Sequence, residues 1–211
     1  MGINGEKGRI AVVTLYLIRH GLTQGNLEGR YIGQSENPPL SAWGRQELEE
    51  RKAHHPYPRA ERLYTSPLLR CMETAQLLYP MLVPVPLSSL AEQDFGLFEG
   101  KTYEQLKDDP TYRRWVDSAS LLPPPGGESG QEFALRLKGA LSQIAEDCRS
   151  SGTKTAAVVT HGGCIMTMLS RLNAEPDPSP ASFYGYQAPN GGGYAVELDL
   201  AAVQISLLGA L

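Results

Sequence analysis

A chain of 211 residues, 41% hydrophobic and 20% charged, has the length and apolar content to bury the core of one α/β domain and is not composed like a disordered chain. Its formal net charge of −4 argues against a sequence-independent nucleic-acid binder, which needs a broad basic surface. A small anionic substrate stays compatible, because a few convergent arginines make one cleft positive on an acidic protein.

Residues 1–6 carry no long apolar stretch, and Glu6 stands where a myristoylation pattern wants Ser or Thr. The apolar run from Ile10 to Ile18 is broken by Thr14 and Tyr16 and stops at Arg19. It reads as a strand over 12–18, buried on both faces, and no run in the chain approaches membrane-spanning length. Pro38-Pro39 punctuates the chain, and Ser41 is placed to cap a helix over 42–52. A strand over 62–65 precedes Ser66-Pro67, read as N-cap and first helical residue. The helix carries Leu69, Met72, Ala75 and Leu78 at helical spacing and stops by Pro80.

Residues 83–87 suggest a short strand weakened by prolines, and 90–100 read as loop. A helix over 103–116 is interrupted at Pro110, and Pro123-Pro124-Pro125-Gly126-Gly127 forms a stiff loop. Ser129 and Glu132 have capping-box spacing, and Phe133, Leu137, Leu141, Ile144 and Cys148 mark one apolar face until Gly152. A strand over 155–160 runs into His161-Gly162-Gly163 and a helix over 164–172. Residues 176–180 form a turn-rich insert, and 194–200 with 203–207 finish the chain as two strands, possible partners in a hairpin. Alternating strands and helices predict an α/β sandwich with a largely parallel sheet, one domain over 1–211 with its core within about 12–208. Cys71, Cys148 and Cys164 are odd in number and lack CxxC spacing. They suggest neither a disulfide framework nor a zinc ribbon, and point to a reducing cytoplasm.

Charged groups gather where these strands end: Arg19 and His20 after the first, Arg70 in the helix after the second, His161 after the 155–160 strand. Ligands of open α/β sheets bind outside the carboxyl ends of the strands, so the four side chains are expected to converge. Two arginines and two histidines around one point describe an anion site, since the guanidinium fork matches phosphate oxygens. Helix N-termini after His20, Ser66 and His161 are expected to add N–H donors. A neutral histidine nitrogen can attack phosphorus, and the departing alcohol then needs a proton. Glu92 is the best-placed acid, with Asp94 and Glu99 close by in sequence.

Leu17-Ile18-Arg19-His20-Gly21-Leu22-Thr23-Gln24-Gly25-Asn26 resembles the signature of the histidine phosphatase superfamily, also called phosphoglycerate mutase-like. Ser66-Pro67-Leu68-Leu69-Arg70, Glu92 with Phe95-Gly96 and Glu99-Gly100, Gly126-Gly127-Glu128-Ser129 and Thr160-His161-Gly162-Gly163 resemble its later blocks in order. The resemblance implies a three-layer α/β/α sandwich with a mixed, mainly parallel sheet and no metal or other cofactor. It implies a phosphorylated nucleophile at His20, a phosphate pocket of Arg19, Asn26, Arg70 and His161, a proton donor at Glu92 and an added hydrogen bond from Thr23.

The family contains phosphatases and mutases. Its phosphoglycerate mutases carry a cationic motif after the donor glutamate, whereas Gln93-Asp94-Phe95 follows here. A carboxylate at Asp94 facing the site would repel a doubly anionic substrate, which favours a phosphatase. Residues 92–103 are similar to the block of α-ribazole phosphatases and broad-specificity relatives, with Phe98 where these often carry Trp. The expected partner is therefore a small phosphorylated metabolite such as α-ribazole phosphate, with no nucleic acid and no membrane. A homodimer is compatible with the sequence. The alternatives are a phosphoglycerate mutase and a catalytically silent phosphate-binding protein.

Overall fold

The structure, a computed structural model, describes residues 12–211. The readings of residues 1–11, including the missing targeting stretch and myristoylation pattern, lie outside the described residues. In chain order the elements are β1 (Val12–Arg19), α1 (Gln24–Leu27), α2 (Ala42–His54), β2 (Arg62–Thr65), α3 (Leu69–Leu78), β3 (Val85–Pro86), α4 (Tyr103–Leu106), α5 (Pro110–Asp117), α6 (Gly130–Ser151), β4 (Thr155–Thr160), α7 (Gly162–Arg171), α8 (Pro180–Gly185), β5 (Gly193–Asp199) and β6 (Gln204–Ala210).

The strands form one six-stranded sheet in the order β3-β2-β4-β1-β5-β6. The first four in that order pair in parallel, and β5 and β6 add an antiparallel hairpin at one edge. Side-chain alternation along the strands assigns the helices to two faces. Leu15 and Leu17 of β1 and Ala156 and Val158 of β4 pack with Phe133, Leu137, Leu141 and Ile144 of α6 and with Ile165 and Met168 of α7. Ile18, Leu63, Ala157 and Val159 pack on the other face with Leu48 of α2 and Cys71, Ala75 and Leu78 of α3. The result is the expected three-layer α/β/α sandwich with a mixed, mainly parallel sheet. No described helix is long and apolar enough to cross a membrane.

Helix boundaries follow the local chemistry. Ser41 caps α2 by accepting from the Gly44 amide. The Ser129/Glu132 capping box opens α6, which ends at Gly152 in the left-handed conformation, φ 70°. Pro110 does interrupt the 103–116 segment, opening α5 behind an Asp109 cap. Two expectations need correction. The insert at 176–180 leads into a further helix, α8, with Ser179 as N-cap and Pro180 at its start. The Ser66-Pro67 step does not cap α3, which begins at Leu69 with the Leu69 amide donating to Asn37 Oδ1 at 2.6 Å. The Ser66 hydroxyl is engaged elsewhere, as described below.

Leu141 in the middle of α6 is fully shielded from solvent. Leu141→Ala is expected to lower the unfolding free energy by about 2–5 kcal/mol, the range for buried Leu-to-Ala truncations. The check is a drop in the urea midpoint at unchanged slope.

Candidate active site

The register of the sheet builds the site. Arg19 lies opposite Thr160 in the parallel β1·β4 pair, and the His20 amide donates to the Thr160 carbonyl at 2.9 Å. His20 and His161 therefore leave the sheet side by side, with ring centroids 5.1 Å apart in an edge-to-face arrangement. On the far side of β4, β2 ends at the same level, and its next residue, Ser66, pairs its hydroxyl with His161 Nε2 at 2.8 Å. The same hydroxyl accepts from the Leu68 amide at 3.4 Å, ahead of the helix start at Leu69. Cys71 Sγ lies 3.4 Å from the same imidazole nitrogen.

His20 Nδ1 sits 2.7 Å from the Gly21 carbonyl. A carbonyl only accepts, so Nδ1 carries the proton and Nε2 keeps its lone pair. Burial, then the charges of Arg70 and Arg19, hold the His20 imidazole well below the ordinary histidine range. His161 is lowered in the same direction, first by burial and then by Arg70 and His20. Both rings are neutral near physiological pH, the state that an attacking nitrogen requires.

The arginines keep unused donors. Arg19 spends one N–H on the Ala188 carbonyl at 2.8 Å, while its buried Nε has no partner among the described residues. Arg70 is fully buried; it donates to the Glu36 and Gly33 carbonyls, each at 2.9 Å, and its Nε is likewise unpartnered. Unsatisfied guanidinium donors beside a cleft are ready to take anionic oxygens.

Glu92 resolves the choice among the three acids. Its side chain lines the cleft, whereas Asp94 and Glu99 do not. Its oxygens accept from the amides of Gln93 at 2.9 Å and Gly163 at 3.0 Å. A Cβ on residue 163 would overlap this carboxylate, so glycine is needed at that position. Burial raises the Glu92 carboxyl above the usual range, against the opposing pull of those two amides, Arg70 and Arg19. Asp94 points away, accepting from the Gly96 amide at 2.8 Å and facing Gln34 at 3.4 Å. The expected repulsion of a doubly anionic substrate by Asp94 is therefore not present.

The cleft, about 520 Å³, is lined by Arg19, His20, Asn26 and Glu92 together with Arg30, Tyr31, Phe95, Tyr103, Tyr112, Trp115, Phe183 and Tyr184. Arg70 and His161 do not line it; both are 0% exposed. Thr23 does not line it either. Its hydroxyl and amide both engage Asn26 Oδ1 at 3.0 Å in the capping box of α1, so Thr23 orients Asn26 instead. The expected anion-binding helix ends also change. The α7 terminus gives its Gly163 amide to Glu92, and α3 begins on Asn37. Residues that sequence reasoning missed include Asn190, whose side-chain amide donates to the His20 carbonyl at 2.9 Å, and the aromatic residues Tyr112 of α5 and Phe183 and Tyr184 of α8. Among the described residues no three His, Cys, Asp or Glu side chains gather as a metal-holding group.

The neutral histidines carry a pH signature. Between their lowered folded values and the ordinary value of about 6.5, the unfolded chain binds protons that the folded chain refuses. Their contribution to stability is thus fully present above about pH 6.5 and is lost as pH falls. Nitrogen-15 NMR of labelled imidazoles is expected to show both rings neutral at about pH 6; a midpoint at or above the ordinary value would contradict the burial argument.

Comparison with known proteins identifies the chain's relatives. The family model described as Histidine phosphatase superfamily (branch 1) matches residues 15–208. The adenosylcobalamin/alpha-ribazole phosphatase of Escherichia coli (strain K12) is 29% identical over 166 residues, covering 77% of this chain and 80% of its own length. A protein of Klebsiella pneumoniae (strain 342) bearing the name "Probable phosphoglycerate mutase GpmB" is 32% identical over 175 residues, 77% of each chain. The solved structure of the alpha-ribazole phosphatase from Shigella flexneri shares the fold, with TM-score 0.75 at 24% identity over 93% of this chain and 95% of that one. The family match takes in every residue of the cleft, and the chain belongs to the histidine phosphatase superfamily, branch 1.

Proposed function

We propose that this chain hydrolyses phosphomonoesters through a phosphohistidine at His20. The observation that carries the reading is a neutral, tautomer-fixed imidazole that shares one cleft with a partly unsatisfied arginine and a raised carboxyl. In the first step the Nε2 lone pair of His20 bonds to phosphorus, the ester P–O bond breaks, and the Glu92 proton passes to the leaving alcohol. In the second, water attacks the phosphohistidine, its proton returns to the Glu92 carboxylate, and the P–N bond breaks to release phosphate. Arg19, Arg70, Asn26 and His161 stabilise the equatorial oxygens, where charge accumulates during transfer. Because Arg70 and His161 are fully buried and off the cleft wall, a phosphoryl group meets them only when bonded to, or pressed against, the His20 ring. None of these steps uses a metal.

With Asp94 turned away, its charge no longer argues for a phosphatase, and the support for that reading over a mutase comes from the other residues of the cleft wall. Beyond Arg19, the cation lining the cleft is Arg30, already paired with Glu28 at 2.6 Å and with the Gly100 carbonyl at 2.6 Å. A second phosphate or a carboxylate finds little free positive charge there, whereas the tyrosines, Trp115 and Phe183 suit an apolar or aromatic alcohol. An α-ribazole-type phosphate, the substrate named for the E. coli relative, meets that description. Three buried free thiols, Cys71, Cys148 and Cys164, fit a reducing cytoplasm.

With p-nitrophenyl phosphate, turnover in EDTA and inhibition by vanadate are expected, and His20→Ala should lose roughly 10³–10⁶-fold in kcat, the scale for removing a nucleophile. Alkaline quenching with a phosphoryl-labelled substrate should leave base-stable, acid-labile label on the wild type and none on the variant. Full activity in His20→Ala ends the model. Across a panel ranked by kcat/KM, aromatic phosphates including α-ribazole phosphate are expected to exceed 3-phosphoglycerate. Efficient isomerisation of 3-phosphoglycerate with a bisphosphoglycerate primer would instead establish a mutase.

A further inference from the structure

Glu92 stands on a segment with little regular structure of its own. Between β3 and α4 the chain makes only two 3₁₀ turns, Ser88–Leu90 and Gly96–Phe98. Four successive carbonyls there, residues 89–92, are taken by side chains. Thr160 Oγ1 donates to Leu90 at 2.8 Å. Arg136, in the second turn of α6, supplies the rest: it donates to Ser89 and Ala91 at 3.0 Å each and to Glu92 at 3.3 Å. Its remaining two N–H groups grip both carboxylate oxygens of Glu128 at 2.9 and 2.8 Å. All five donors of this guanidinium are used, unlike those of Arg19 and Arg70. Glu128 closes the clamp, its amide donating to the Asp94 carbonyl at 3.0 Å and its carbonyl accepting from Gln93 Nε2 at 2.8 Å. The pair is mostly buried, with 23% and 15% of the two side chains exposed, so neither charge is cheap to leave alone.

Resting on the phosphatase reading above, we propose that the Arg136–Glu128 pair is a positioning device for the general acid. It fixes the backbone on both sides of Glu92, so that the carboxyl stays buried and aimed at the leaving oxygen. Arg136 lies outside the cleft and touches no reacting atom; it acts through Glu92. Truncating it strands three carbonyls of the segment and the Glu128 carboxylate, and the segment relaxes toward water to satisfy them. A relaxed acid loses both its raised proton affinity and its alignment.

This role has a signature that general destabilisation lacks. A nitrophenolate departs without a proton, whereas an alkoxide needs one, so a misplaced acid penalises alkyl phosphates selectively. The experiment compares kcat/KM for p-nitrophenyl phosphate and phenethyl phosphate in the wild type, Arg136→Gln and Glu128→Gln. The latter keeps the shape and backbone bonds of residue 128 and serves if Arg136→Gln folds poorly. The loss on phenethyl phosphate is expected to exceed that on p-nitrophenyl phosphate by about 10- to 100-fold, within the range of general acid catalysis. In a Glu92→Gln background, Arg136→Gln should add no further selective loss, because the two act as one unit. Equal losses on both substrates, or full additivity with Glu92→Gln, would overturn the assignment. A wild type that turns over neither substrate would instead count against the phosphatase reading itself.

Discussion

The parallel register of β1 against β4 is the constraint on which the site depends. Arg19 opposite Thr160 means that the next residues on the two strands, His20 and His161, emerge at one level and meet ring to ring. A slip of one residue would send every side chain of the strand to the opposite face. The register is secured by two separate apolar layers, Leu15 and Leu17 on one side and Ile18 with Val159 on the other, so any slip exposes both. Core packing and the alignment of the imidazoles are therefore the same fact seen at different depths.

Burial then does the electrochemical work. The same exclusion of water that stabilises the sheet depresses both imidazoles and raises the Glu92 carboxyl, so neutral imidazoles and a carboxyl of raised proton affinity coexist. The nearby arginines reinforce the first effect and oppose the second. The two families of arginine differ in how they are satisfied. Arg136 has every donor occupied and belongs to the scaffold, while Arg19 and Arg70 keep unpartnered Nε groups near His20. An arginine with nothing left to give holds a loop; one with donors in hand can hold a substrate.

Local signals were informative where chemistry is local. The Ser129/Glu132 box, the Gly152 terminus and the apolar stripe from Phe133 to Cys148 lie where the spacing puts them, because capping and helical periodicity involve residues a few positions apart. The two Ser-Pro steps show the limit. Ser179-Pro180 opens α8 as such a step should, while after Ser66-Pro67 the helix begins only at Leu69, with the Ser66 hydroxyl set against His161, ninety-five positions away. Asp94 likewise looked like a charge in the site, yet its oxygens are turned to the Gly96 amide and Gln34.

The sequence alone determined the alternation of strands and helices and the strand-end positions of His20, Arg19 and His161. It also indicated Glu92 as the best acid, since hydrophobic periodicity and turn residues are written in neighbouring positions. Tertiary structure alone decided which carboxylate faces the cleft, that Arg70 and His161 are buried off its wall, and that Thr23 serves Asn26. It also decided that Tyr31, Trp115 and Phe183, from three distant segments, share one wall. Side-chain direction at the end of a loop depends on which distant donor is left unsatisfied, and that is settled only when the layers close.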